Sequence, residues 1–567
     1  MENGQEEKDV VKNGFNKHEM HNGTNGHTEH TDVNNGFNKH DIHNGIHGHM
    51  CDLDLDCPVA ISVAEAYGLE LIATRHISAG EVIVQEPPLM LGPVEADTSS
   101  CLACLVPTKD PTCVCPTCSA PLCSPPCKGK GHKLKECEIL ARNDFMHCEN
   151  TSILNSLYNI LTPLRTLLLM TEREDIPLLL EAMEANTKKR STLKNGFYTE
   201  EKLATALLLM GVTVDAELVK AICGIWDTNA YTVYIGPTQQ DPAQALFPVT
   251  AMMNHSCVSN TYVKFADGFM TVRAALPIPK GTACTNNYRH MLYGTRHRRK
   301  FLLQSKLFLC MCPRCADPTE CGSHTSSLRC QKCPPGLYVP SDDHSSPWVC
   351  YKCNHSIPAR LADTLVTTCF MSCSKLDTTD IEVMVTKLNL IQEGLGSQHY
   401  LCQELKRLIV AALTSRTLEH RSSVPMGVQT RIIPCNELSD ADLWLLIDLS
   451  DQLLKLGELL EPGLSGFRGQ LLMHQVRSVS ELLFRSQDSS QKKCEKESEE
   501  KNVKKDETVH KVKKLPQYKI EKQVLLDSAE ECVNILKYDP FYKEAKNLNE
   551  CLKSLLDNSD ISLICRP

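Results

Sequence analysis

The sequence predicts a multidomain α+β protein. Three observations carry that reading: a chain of 567 residues, two windows crowded with cysteine, and a long C-terminal stretch of helical period. At roughly 150 residues per domain there is room for three or four. Hydrophobic residues make up 42 % and charged ones 23 %, enough to bury a core. The net charge of −9 lacks the basic excess of a dedicated nucleic-acid binder. There is no charged-apolar-small leader, and no run reaches the roughly 18 apolar residues of a membrane span. A soluble intracellular protein, cytoplasmic and nuclear, is expected.

The 30 cysteines decide the class. A reducing compartment disfavours disulfides. Here the cysteines fall as C-x-x-C and related pairs in the windows 101–137 and 310–353. Tetrahedral zinc takes two thiolates from each of two tight turns, at about 2.3 Å. One redox C-x-x-C is common, whereas many clustered pairs point to zinc.

Residues 1–57 form an Asn-, Gly- and His-rich tail in which "NGFNKHEMHNG" returns as "NGFNKHDIHNG". With little to bury, it is expected to be disordered; its histidines read either as a metal-binding tract or as a solvated repeat. Two strand-like runs, "LELIAT" and "EVIVQE", flank Gly80. Helical period follows the first cysteine window, over 138–228. "NAYTVYIG" reads as a strand, and "TYVKFADGFMTVRAAL" as a hairpin turning on Asp267-Gly268, a dipeptide suited to a type I′ turn. "RHRRKFLLQSKL" reads as a helix. Its basic run, 296–300, is either a nuclear-localisation cluster or the solvated face of that helix. Residues 360–567 read as antiparallel helix pairs, with a Lys/Glu/Ser-rich disordered loop over 487–515.

The first window holds Cys101, Cys104, Cys113, Cys115, Cys118, Cys123, Cys127, His132 and Cys137. Two zinc ions need eight ligands. Cys113 is the one set aside, because Cys115-x2-Cys118 is the better-spaced pair. The window resembles a MYND zinc finger. The resemblance implies one zinc on Cys101, Cys104, Cys123 and Cys127, and another on Cys115, Cys118, His132 and Cys137. The usual His-x3-Cys ending is His-x4-Cys here. Spacing alone makes Cys330-x2-Cys333 with Cys350-x2-Cys353 a further, zinc-ribbon-like site.

"FPVTAMMNHSCVSN" (247–260) resembles the core motif of SET domains, N-H-S-C-x-P-N. In order along the chain, "GLELIATRHISAGEVI", "ICGIWDTNAY", "GTACTNNY" and "FLCMCPRC" resemble the other SET segments. A MYND finger interrupting a SET domain, with helices after it, resembles the SET and MYND domain-containing family, in its arthropod branch. The resemblance implies a SET β-fold split between 58–100 and 229–300, with the MYND finger at 101–137 and a helical insert at 138–228. A post-SET and zinc-ribbon-like segment at 301–355 and a TPR-like all-α domain at 360–567 follow. Cys310, Cys312 and Cys315 supply three thiolates, and Cys257 is the natural fourth of a third zinc site.

The resemblance also implies S-adenosylmethionine as cofactor, held by Gly68, Asn229, Asn254 and His255, with Phe308 over the adenine. Tyr288 would orient a substrate lysine at the point of methyl transfer. Five positions depart from the family pattern: Glu70 in the usual Gly-x-Gly segment, Ser259 for Pro, Ala251 for Ser, and Thr282-Ala283 for an acidic pair. Two functions follow. One is a protein-lysine methyltransferase acting on histone or non-histone protein. The other is a weak or inactive adaptor, co-repressor-like, binding co-repressor or chaperone peptides through the finger and the C-terminal helices. No membrane or direct nucleic-acid partner is expected.

Overall fold

The computed structural model describes residues 57–64, 68–94, 100–108, 112–124, 127, 131–142, 151–190, 204–205, 207–208, 211–212, 215–236, 241–341, 345–414, 435–496, 519–539, 541–557 and 563–565. Apart from Cys57, the tail lies outside them. β1 (Val59–Ala64) pairs antiparallel with β2 (Gly68–Ala73), from Val59↔Ala73 to Ala64↔Gly68. There follow β3 (Val82–Glu86), β4 (Met90–Pro93), β5 (Tyr231–Ile235), β6 (Asp241–Leu246), β7 (Asn254–His255), β8 (Thr261–Ala266), β9 (Phe269–Ala274) and β10 (Thr285–Asn286). They form two three-stranded sheets, β3-β9-β8 and β4-β6-β5, and a short parallel pair, β7 with β10. Strands β2 and β3, adjacent in sequence, take partners in different sheets.

Asp267 (φ 52) and Gly268 (φ 83) turn the β8–β9 hairpin, both in the left-handed region that a type I′ turn requires. Leu105, Val233, Ala245, Phe247 and Met270 bury together between the sheets. Behind β4, helix Thr151–Glu172 meets helix Ala216–Asn229, and buried Trp226 donates from Nε1 to Thr166 Oγ1 at 2.9 Å. The second helix also lies against the backbone at Ala185, which it can do because Gly224 has no side chain: a Cβ there would stand 1.9 Å from Ala185 O.

Beyond Thr295–Ser305, a helix that contains the whole basic run, a four-stranded sheet orders β11 (Leu328–Arg329), β12 (Leu337–Val339), β13 (Trp348–Cys350) and β14 (Ser356–Ile357). Helices Ala359–Cys373, Ile381–Leu395, Tyr400–Thr414, Asp440–Leu460, Gly466–Lys496, Lys522–Ile535 and Tyr542–Asp557 follow. Ser439 and Asp442 form a capping box at the fourth of these, a device worth about 1 kcal/mol. One expectation is corrected: residues 487–496 continue the helix Gly466–Lys496 and are not loop. Extending a formed helix needs no new nucleus, and Lys, Glu and Gln are good helix formers. Residues 497–515 lie outside the described residues. The helical unit is fastened to the β8–β9 hairpin. Tyr262 Oη donates to Asp539 Oδ2 at 2.9 Å, Lys264 Nζ lies 3.3 Å from the same oxygen, and the Arg273 guanidinium lies over the Tyr538 ring at 3.9 Å.

Candidate functional site

The residues of "MNHSCVSN" are held by their own polar groups. Asn260 Nδ2 donates to Ala283 O at 2.8 Å, and its Oδ1 accepts from Thr285 N at 2.8 Å. Thr261 Oγ1 donates to Thr285 O at 2.8 Å. These bonds register β7 against β10, so that Asn254 faces Thr285 and His255 faces Asn286. From the other side the buried Glu86 carboxylate accepts from Thr250 N at 2.6 Å and Val249 N at 3.2 Å, pinning the loop ahead of β7. The two ends of the motif thus have a structural purpose, and Asn254, His255 and Cys257 are left for chemistry.

A cavity of about 1350 Å³ opens beside them, lined by Gly68, Asn229, Asn254, His255, Tyr288 and Phe308 among others. All six non-metal residues singled out from the sequence therefore line this cavity. Tyr288 donates its hydroxyl to Met253 O, and its backbone N–H donates to His255 Nδ1 at 3.0 Å. That bond leaves the imidazole proton on Nε2, which faces Cys257 Sγ at 3.2 Å. Burial pushes His255 down to about 4, Arg298 adding to the effect and Cys312 opposing it, so the ring is neutral near pH 7. Burial pushes the Tyr288 phenol up, so it stays protonated. The His255 ring lies 5.1 Å from that of Tyr288 and 5.9 Å from that of Phe308.

Asn229 spends its amide N–H groups on Ile225 O (2.8 Å) and Glu184 O (2.9 Å), so its carbonyl oxygen is what it can offer a ligand. Asn254 differs. Its Nδ2 is buried with no partner among the described residues. Leaving such a donor unmade costs about 1–3 kcal/mol, which a bound acceptor would recover. Gly68 has φ +75 and nothing within 4 Å of a notional Cβ, so it answers a backbone requirement. Glu70, half-buried, also lines the cavity.

Four groups of ligand atoms come together: Cys101/Cys104/Cys123/Cys127, Cys115/Cys118/His132/Cys137, Cys257/Cys310/Cys312/Cys315 and Cys330/Cys333/Cys350/Cys353. The edge of a tetrahedron with 2.3 Å arms is about 3.8 Å. The sulfur pairs Cys104–Cys123 (3.6 Å), Cys115–Cys137 (3.6 Å), Cys257–Cys315 (3.5 Å) and Cys330–Cys353 (3.8 Å) sit near that edge, far beyond the roughly 2.05 Å of a disulfide. The donor chemistry and spacing fit zinc in all four. The His-x4-Cys spacing is accommodated because His132 precedes helix Leu134–Arg142 and Cys137 lies on it. His132 Nε2 then stands 3.4 Å from Cys118 Sγ.

Several contributors carry no signal in the sequence. Glu136 accepts from His132 Nδ1 at 2.9 Å and from Arg165 at 2.6 and 2.9 Å. Arg298 donates to Cys257 Sγ (3.1 Å), Cys315 Sγ (3.4 Å) and Glu320 Oε2 (2.7 Å), and Arg314 reaches Glu320 at 3.0 Å. Burial would raise the Glu320 carboxyl, but the two guanidinium groups hold it down at about 2. The basic run is thus largely engaged: Arg298 is buried, Arg299 donates to Cys310 O and Cys315 O, and Arg296 pairs with Asp363.

Comparison with known proteins identifies the family. The SET domain family model matches residues 68–289. The SET domain-containing protein SmydA-8, isoform A, of Drosophila melanogaster is 30% identical over 390 residues, which is 65% of this chain and 81% of that protein. Histone-lysine N-methyltransferase ASHR1 of Arabidopsis thaliana is 23% identical over 303 residues, 50% of this chain and 62% of its own. N-lysine methyltransferase SMYD2 of Homo sapiens is 38% identical over 71 residues, 12% and 16% of the two chains. Among solved structures, Rubisco LSMT bound to AdoMet aligns over 77% of this chain and 88% of its own at 10% identity and a TM-score of 0.28, too slight a likeness to transfer residues. Matched by the SET domain model to one residue past Tyr288, and related to SmydA-8 across most of that protein, the chain belongs to the SMYD-type SET-domain family.

Proposed function

We propose that this protein is an S-adenosylmethionine-dependent protein-lysine methyltransferase. The observation that carries the reading is the cavity itself, which gathers Asn229, Asn254, His255, Tyr288 and Phe308, the Asn254 amide nitrogen being without a partner among the described residues. Asn254 and His255 would hold the cofactor, Asn229 would accept from it, and Phe308 would cover its base. Bound there, the cofactor supplies a methyl group on a sulfonium, which is a good leaving group already. The protein's part is positioning. Because Tyr288 gives its hydroxyl proton to Met253 O, the phenol oxygen keeps lone pairs that can accept an N–H from a lysine amine. A protonated phenol is no base, so the site orients a neutral amine and does not deprotonate it at Tyr288. In this layout 101–137 acts as a MYND finger and 310–315 as a post-SET clamp, and the C-terminal helices act as a TPR-like peptide-binding unit. Relatives named for lysine and histone-lysine methylation support a protein substrate with an exposed lysine.

The second reading, a non-catalytic adaptor, is favoured by Glu70, which lines the cavity where the family pattern has no side chain. Calorimetric titration of zinc-replete protein with S-adenosylmethionine separates the two. Binding by the wild type supports the enzyme. No binding by the wild type, restored in Glu70→Gly, supports the adaptor and overturns the enzyme.

A further inference from the structure

One amine in the cavity has no place in the scheme above. Lys306 lines the cavity at the C-cap of helix Thr295–Ser305, and its Nζ lies 6.0 Å from the Tyr288 ring centroid. The side chain crosses to the far end of helix Ala216–Asn229, where Nζ donates to Thr228 O at 2.5 Å and Asp227 O at 3.5 Å. The last carbonyls of a helix lack partners within it and carry its negative end, so an ammonium is well suited to them. The two chain segments joined in this way matter. Thr228 is the residue before Asn229. Lys306 is two residues before Phe308, and between them Leu307 adopts φ 59, a left-handed turn that swings the chain towards the cavity. Asn229 and Phe308 therefore stand on opposite sides of one cationic cross-link.

We propose that Lys306 is a positioning residue for the cofactor: its ammonium staples the end of helix Ala216–Asn229 to the turn carrying Phe308 and so sets the width of the cavity. This inference rests on the cofactor reading above. Charge is part of the device, because hydrogen bonds from a charged donor contribute more than those from a neutral one. Burial pushes the Lys306 amine down to about 8, with Asp227 opposing. Below that pH the ammonium is present and the staple is closed. Above it, a neutral amine donates more weakly and the staple loosens. The groups facing it do not change charge in the same range. Asp227 is ion-paired with Arg190, the buried Tyr288 phenol is held above its usual range, and His255 is already neutral.

The test uses S-adenosylhomocysteine as probe, titrated calorimetrically into full-length zinc-replete wild type, Lys306→Arg and Lys306→Met from about pH 7 to 9.5. Hydrogen exchange at residues 226–231 and the melting temperature are followed in parallel. The probe's own amine titrates alike for all three proteins. The expected result at pH 7 is binding about tenfold weaker for Lys306→Met than for wild type, with faster exchange at 226–231. Wild-type affinity then declines above pH 8 towards that of Lys306→Met, whereas Lys306→Arg, which stays charged, shows no such decline. A helix cap with no part in binding would lower the melting temperature and leave affinity and its pH profile unmoved, and that outcome overturns the inference while the cofactor reading stands. Absence of binding by the wild type at every pH overturns both.

Discussion

The groups at Cys115–Cys137 and Cys257–Cys315 each gather four ligand atoms, yet the charges beside the ligands are opposite. Next to the first, the Glu136 carboxylate accepts from His132 and is itself held by Arg165. Next to the second, the Arg298 guanidinium donates to two of the sulfurs and is balanced by Glu320. The ligand sets explain the difference. Three thiolates and a neutral imidazole around Zn²⁺ leave one negative charge, which needs little compensation but does need the ring oriented, and a carboxylate on Nδ1 does that. Four thiolates leave two negative charges in a buried place, where an arginine offsets part of the excess. The first group is tied to helix Thr151–Glu172 through Glu136 and Arg165. The second fastens residues 310–315 to the loop that carries Asn254 and His255.

The largest effect that sharpens this comparison is loss of a ligand. Cys257→Ser should remove one zinc and, because its loop forms the cavity wall, abolish cofactor binding. Site formation is worth on the order of 10 kcal/mol, so partial unfolding accompanies it. Cys118→Ser should also remove one zinc but leave cofactor binding within a fewfold. Equal loss of binding in both variants would contradict the separate roles given to the two sites.

Next come the charges behind the ligands. Arg298→Met takes one donor from each of two sulfurs and leaves Glu320 ion-paired with Arg314 but not Arg298, and about 3–5 kcal/mol of destabilisation is expected in denaturant melts. Glu136→Gln should cost about 3 kcal/mol by leaving Arg165 unpaired, and weaken zinc at His132 about 10- to 100-fold in chelator competition. Unchanged zinc affinity in Glu136→Gln would deny the carboxylate its orienting role.

The smallest effect concerns Cys330/Cys333/Cys350/Cys353. Cys353 is exposed, and among the described residues no arginine or lysine side chain donates to these sulfurs. A chelator should strip this zinc first, and Cys353→Ser should cost about 2 kcal/mol or less. Release of the buried Cys257 zinc ahead of it would reverse the ranking.

Much of this was legible from local chemistry. Paired cysteines announce metal turns by spacing, Asp267-Gly268 announces its hairpin, and apolar period announces the long helices. The cavity residues were legible because the motifs that carry them are short and contiguous. Non-local partners were not. β6 reads "DPAQAL", with a proline and no alternation, yet it is the central strand between β4 and β5. Pro242 is tolerated near the strand's end, opposite Tyr234. Arg165 meets Glu136 from 29 residues away and Arg298 meets Glu320 from 22, distances at which neither charge announces its partner. Nothing in the local sequence of Lys306 announces the helix end that it caps, which lies 78 residues away.

The most direct test of the central claim, a zinc-braced scaffold presenting a cofactor cavity, is a native mass spectrum of the full chain in excess S-adenosylmethionine. The account predicts four zinc ions and one cofactor on the dominant species, with the cofactor lost and three zinc ions kept in Cys257→Ser. A wild-type spectrum with four zinc ions and no cofactor would contradict the claim, leaving a braced scaffold whose cavity serves something other than methyl transfer.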